Sequence, residues 1–192
     1  MKKFLASALM LLAASTTTFA QNAVGSFSLQ PKAGISIADM TDIQGTTSRI
    51  GFVGGLEGEY QASDIFSLSL GVNYSQEGFK MKNSDNKIKL DYINVPILAN
   101  VYLTKGLAVK VGVQPGFNVG NSVTVDGNTT SSSKKDYDGI KSVALSIPVG
   151  LSYEISNVVL DARYNWGVTK AFDGLDSKNS VFQVTIGYKF QL

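Results

Sequence analysis

Glu57 and Glu59 stand two positions apart in Gly55-Leu56-Glu57-Gly58-Glu59-Tyr60, so on an extended chain both carboxylates point to one face. Two carboxylates sharing a space can do acid–base hydrolysis when their surroundings drive their pKa values apart. Asp161 and Arg163 repeat the spacing with opposite charges. The same alternate positions of extended segments carry Lys32, Lys110, Glu154 and Lys189. Four bases and four acids on one set of positions favour ion pairing in an enclosed space over a catalytic dyad. The chain has 192 residues with neither His nor Cys. That excludes a Ser-His-Asp triad, a Cys-His pair, thiol redox chemistry and His or Cys zinc sites.

Weaker signals lie in the polar links. Asp136-Tyr137-Asp138-Gly139 and Asp173-Gly174-Leu175-Asp176 have a calcium-loop flavour. The full EF-hand spacing and its closing Glu are missing, so solvated turns are expected. Asn128-Thr129-Thr130 matches a glycosylation sequon, which carries little meaning by itself. The glycines between Gly51 and Gly58 make no phosphate loop, because no Lys-Ser/Thr pair or helix follows them. No cofactor is expected.

The elements that position these residues begin after an export signal. Residues 1–20 read as a cleaved signal peptide: Lys2-Lys3, an apolar run from Phe4 to Ala14, and Thr18-Phe19-Ala20 before Gln21. Its loss leaves 15 basic and 15 acidic residues, so no basic surface for nucleic acid is expected. Residues 21–192 then form one domain.

That domain beats with period two. Eight segments alternate apolar and polar residues: 27–37, 50–61, 66–75, 93–103, 109–120, 143–154, 160–168 and 182–192. Each is about the ten residues that cross a bilayer at a tilt. Tight turns are expected at Ser63-Asp64, Lys105-Gly106 and Ser156-Asn157. Longer links are expected at Met40–Ser48, Gly78–Lys87, Asn121–Lys141 and Thr169–Asn179. The reading is an all-β, eight-stranded antiparallel up-and-down transmembrane β-barrel, with short periplasmic turns and longer extracellular loops.

Three features turn the apolar face outward. The polar set is mostly Ser, Gly, Asn and Gln, whereas a water-facing wall carries many charges. Gly112, Gly116 and Gly120 share that set, where small residues leave room for side chains crossing a narrow interior. Aromatics collect at both ends of the apolar set. Phe27, Tyr60, Phe66, Tyr153, Tyr188 and Phe190 lie near the short turns, and Phe52, Tyr74, Phe117, Trp166 and Phe182 near the long links. Two belts mark two membrane interfaces. Two features resist. Pro31, Pro96, Pro115 and Pro148 sit inside the segments, which calls for bulges or strand ends. Leu90 and Tyr92 have the opposite parity to Ile93 and its successors, which calls for a bulge there.

The hairpin Leu90-Asp91-Tyr92-Ile93-Asn94-Val95-Pro96-Ile97-Leu98-Ala99-Asn100-Val101-Tyr102, followed by Val111-Gly112-Val113-Gln114-Pro115-Gly116, resembles the central hairpin of small outer-membrane β-barrel proteins of the porin family. The closing Tyr188-Lys189-Phe190-Gln191-Leu192 is similar to the C-terminal signal read by the barrel-insertion machinery, although its last residue is Leu and not an aromatic. The resemblance implies outer-membrane residence, contact with outer-membrane lipid, and insertion through Tyr188 and Phe190. It supplies no catalytic residue, and the known barrel enzymes depend on His.

Three functions compete. The first is a non-enzymatic, monomeric barrel with a largely filled polar interior, presenting loops at the cell surface. Its lumen charge network would be Lys32, Glu57, Glu59, Lys110, Glu154, Asp161, Arg163 and Lys189. Its contact loop would centre on Lys134, Lys135, Asp136, Tyr137 and Asp138, in the most polar segment. The second is a small-solute channel. The third is a secreted, lipocalin-like ligand binder, which would have the same alternation turned inside out.

Overall fold

The computed structural model describes residues 23–41, 46–81, 86–125, 128–132, 141–170 and 177–192. The export signal and the 133–140 link, with Lys134, Lys135, Asp136, Tyr137 and Asp138, lie outside the described residues.

The β-branched and aromatic residues at alternate positions form eleven strand segments, β1(Phe27–Met40), β2(Thr46–Ser63), β3(Phe66–Met81), β4(Lys87–Asn94), β5(Ile97–Thr104), β6(Leu107–Val125), β7(Asn128–Ser132), β8(Val143–Ile155), β9(Val158–Lys170), β10(Lys178–Tyr188) and β11(Phe190–Gln191). They build eight walls. β4 and β5 are one wall broken at Val95-Pro96, and β10 and β11 are one wall broken at Lys189. All pairings are antiparallel between sequence neighbours, and β1 pairs with β10 and β11 to close the ring. Closure leaves no sheet edge in the wall, the only way a sheet satisfies its backbone in hydrocarbon.

Two-residue turns at Asp64-Ile65, Lys105-Gly106 and Ser156-Asn157 join walls at one end. The first sits one residue later than expected. Gly106 takes φ +85°, and a Cβ there would lie 2.6 Å from the Glu154 carbonyl oxygen. Both described chain ends lie at this rim, with Gly25 bonded to Gln61 and Leu192 to Phe27.

The opposite rim departs from expectation. Segments of about ten residues become strands of 13 to 19 in most walls. β3 and β4 continue their ladder to Lys80↔Lys87, and β6 runs to Val125 before folding back as β7. Much of what reads as polar link is therefore paired strand: beyond the apolar belt both faces can be polar, so the period-two signal fades while the ladder continues. β8 starts at Val143, opposite Phe117 of β6, so the β3–β4–β6–β7 side stands above the β8 side.

The prolines do not make bulges. The register is unchanged across Pro31, Pro115 and Pro148, and Pro96 lies at the break between β4 and β5. Each interrupts the ladder on one side. Pro31 faces the break at Lys189, whose amide donates to Asn157 at 2.7 Å instead. Pro148 faces the gap between Val111↔Val149 and Gln114↔Ser146. Val95 recovers its bond by donating to the Pro115 carbonyl at 2.8 Å.

β4 itself carries no bulge at Tyr92. Leu90, Tyr92 and Asn94 all point inward, and the register shift falls on β6, where Asp91↔Gly120 is followed by Tyr92↔Asn118. Leu90 and Tyr92 break the polar-inside pattern because they join Met40 and Phe79 in an apolar cluster, with Ile88 and Ala144 against it. That cluster sits at the outer end of the lumen, since Met40 and Phe79 close the outer ends of β1 and β3.

Candidate functional site

The wall orientation comes first. Leu70 is 58% exposed and Ile186 56%, while Ser69 between paired walls is 3% exposed and Asn100 0%. Aromatics of both belts stand outside, among them Phe27, Tyr60, Tyr188 and Phe190 at one end and Phe52, Phe117, Trp166 and Phe182 at the other. The alkyl side faces outward and the interior is polar, which rules out the lipocalin-like reading.

Every expected lumen charge points into that interior, and register explains how such long side chains fit. Lys32 is flanked by Gly55 and Gly187, Glu57 has Gly71 beside it, and Lys110 and Arg163 share Gly150. A neighbour without a side chain frees the space each charged chain crosses. The approach is close as well: a Cβ at Gly55 would lie 2.1 Å from the Val72 carbonyl oxygen.

The charges form two layers. In the middle of the lumen Glu57 takes Lys32, Lys110 at 2.8 Å and Arg163 at 3.3 Å. Asp161 takes Arg163 at 2.9 Å and Lys110 at 3.2 Å. Three cations thus meet two carboxylates, with every side chain at most 4% exposed. Two positions along β2 toward the short turns, Lys189 bridges Glu59 at 3.1 Å and Glu154 at 2.7 Å. Tyr102 and Ser67 also donate to Glu59, Ser67 at 2.5 Å, and Asn100 donates to Ser67 at 3.0 Å. One cation here meets two carboxylates, so the layers carry opposite unit charges and the eight balance. Charges removed from water persist only when paired and hydrogen-bonded in this way.

The arrangement has no free carboxylate facing a substrate space at Glu57 or Glu59, since cations and hydroxyls occupy both. Among the described residues no cluster of His, Cys, Asp or Glu could hold a metal ion.

Sequence reasoning missed several luminal residues. Glu77 continues the inward series Gly71, Asn73, Ser75 beyond the point where the strand was expected to stop, and is 5% exposed. Asn94 donates to its carboxyl at 3.2 Å and Asn179 at 3.0 Å. Arg49, also buried, donates to the Glu77 backbone carbonyl. No contrast of faces marked Glu77, since Gln76 and Gly78 on the outer parity are no greasier than Glu77; only the continued β3–β4 ladder carries the strand on. Tyr102, inward at the short-turn end, was visible by its parity with Asn100.

The family model of the outer membrane protein beta-barrel domain matches residues 19–173. This chain belongs to that family. Outer membrane protein beta-barrel domains reside in the bacterial outer membrane, and so does this one. Solved structures agree in fold. Ail, the attachment invasion locus protein of Yersinia pestis, is 19% identical with TM-score 0.52, over 88% of this chain and all of that one. A second Ail structure, in complex with the heparin analogue sucrose octasulfate, gives 18% identity and TM-score 0.55 over 88% of this chain and all of that one. Neisserial surface protein A (NspA) gives 20% identity and TM-score 0.57, over 85% of this chain and 97% of that one. Among curated proteins, none matches this chain significantly.

Proposed function

We propose that this outer membrane protein beta-barrel domain is a non-enzymatic, monomeric barrel. Its lumen is closed by its own side chains and its work is done at the cell surface. One observation carries the reading: Glu57, Asp161, Lys32, Lys110 and Arg163 converge on the barrel axis from β1, β2, β6 and β9. An eight-walled barrel is just wide enough for side chains to fill, and these do so with matched charges. The raised β3–β4–β6–β7 rim then supplies the surface for contact, with the link at Lys134, Lys135, Asp136, Tyr137 and Asp138 continuing from β7.

Insertion fits the same picture. Tyr188 and Phe190 stand on the outer face with ring centroids 4.8 Å apart, available to the insertion machinery before the lipid surrounds them.

A small-solute channel is the second reading, favoured by unpartnered luminal atoms such as Asn73 Oδ1 and Asn118 Oδ1. Reconstitution into planar bilayers separates the two. The expected result is a fully inserted barrel without discrete conductance steps. Reproducible single-channel steps that change in K110A would overturn the closed-lumen reading.

A further inference from the structure

Above the ion-pair layers, toward the outer rim, the lumen opens into a small cavity. Its volume is about 20 Å³, measured to the centre of a water-sized particle, enough for one such particle. Glu77, Tyr92, Gln114, Ser146, Asn165 and Asn179 are among the residues lining it. Its chemistry differs from that of the layers below. Glu77 there receives only neutral donors, the amides of Asn94 and Asn179 and the Ser75 hydroxyl, and among the described residues no cation forms an ion pair with it. Arg49 is spent on the Glu77 backbone carbonyl, not its carboxyl. Polar atoms around the space also lack partners: Gln114 Oε1, Tyr92 Oη and both Oδ1 and Nδ2 of Asn165, on side chains 3%, 1% and 2% exposed. Gln114 already spends its amide nitrogen on Ser146 at 3.4 Å, which leaves its oxygen as the group for a visitor.

A buried carboxyl with no countercharge, beside unused oxygens and a space of one small particle, describes the coordination of a cation. The particle must carry a single charge to balance one carboxylate. It must also accept a shell of neutral oxygens, which suits an alkali ion of potassium size or an ammonium group and not a strongly hydrated divalent ion. We propose that this cavity is a binding site for a monovalent cation, held by Glu77 with Gln114, Asn165 and Tyr92. The layers beneath, where three cations surround Glu57 and Asp161, close the path downward, so the site is a dead-end receptor at the outer end of the lumen.

The test uses the full barrel, folded in detergent and crystallised with thallium(I) acetate as the potassium-sized probe. The expected result is an anomalous peak within coordination distance of the Glu77 carboxyl. E77Q should remove it, with apparent affinity falling roughly tenfold or more, as expected for deleting a charge-assisted contact. Thallium NMR titration of the soluble micelles reads the same affinity without crystals. N165A gives a second variant that leaves the carboxyl in place, and it should weaken binding. Competition with methylammonium fixes the source: displacement at comparable concentration assigns an ammonium headgroup, and failure to displace assigns an inorganic ion. A cavity that holds only water in thallium-soaked wild-type crystals overturns the proposal, as does a thallium peak that persists in E77Q. Neither result bears on conductance, so the closed-lumen reading is judged separately.

Discussion

Arg163 meets Glu57 at 3.3 Å although 106 residues separate them in the chain. Arg163 rises from β9 and Glu57 from β2, with β10 and β1 between them around the wall. The contact is therefore a strut across the lumen and not a ladder pair. It ties the closing half of the barrel to the opening half, beside the β1–β10 pairing that joins the chain's ends.

Glu57 should be the most sensitive luminal position. Replacing it with Gln leaves Lys32, Lys110 and Arg163 facing Asp161 alone, which should cost about 3–5 kcal/mol as for other broken buried pairs. Glu154→Gln should cost less, because that side chain is 15% exposed and Lys189 keeps Glu59. Urea unfolding midpoints in lipid vesicles would show the difference. Equal, wild-type-like midpoints for both would remove the network as a source of stability.

The two faces of one wall should respond oppositely to charge. Leu70→Arg or Val111→Arg places a cation against acyl chains and should cost about 2–4 kcal/mol near the midplane, with visible loss of insertion. Ser69→Thr, on the inner face of the same strand as Leu70, should insert normally. Fractionation of outer membranes reads both, and equal tolerance would argue against the assigned faces.

The glycines of β6 should not be equivalent. A Cβ at Gly112 would lie 2.0 Å from the Ile97 carbonyl oxygen, so Gly112→Ala must push β5 and β6 apart. A loss of about 1–3 kcal/mol is expected from such overpacking. At Gly120 the nearest atom is Asp91 Oδ2 at 3.6 Å, an ordinary contact. Gly120→Ala should therefore leave the heat-dependent gel mobility of the folded barrel unchanged, while Gly112→Ala lowers its transition temperature.

Single cysteines along β9 should report alternation directly, because the chain has no native Cys. Probes at Leu160, Tyr164 and Trp166 should be quenched by spin-labelled lipid, and probes at Asp161 and Asn165 should not. A pattern that ignores parity would be incompatible with the register Ile147↔Trp166 and Pro148↔Asn165.

How far the sequence reached is clearest along β3. Its alternation from Phe66 to Ser75 named the wall and both faces, because a pleated strand with lipid on one side must alternate. It stopped short of Glu77 and Phe79, where the wall passes beyond the belt and the chemistry of the two faces no longer contrasts. Leu90 and Tyr92 were misleading for the same reason: at the outer end of the lumen apolar residues can pack on each other inside the ring.

By itself, the sequence determined that this chain forms strands with a greasy and a hydrophilic side, that their number is eight, and that four acids and four bases share the hydrophilic side. Periodicity and composition are local properties, so they survive in one dimension. Only the tertiary structure decided which acid meets which base, that Glu57 gathers three cations, and that Glu77 is left with neutral donors alone. Those pairings depend on register and on the distance across a closed ring. A shift of one residue would turn every side chain to the other face, and nothing local to any strand records the partner on the far wall.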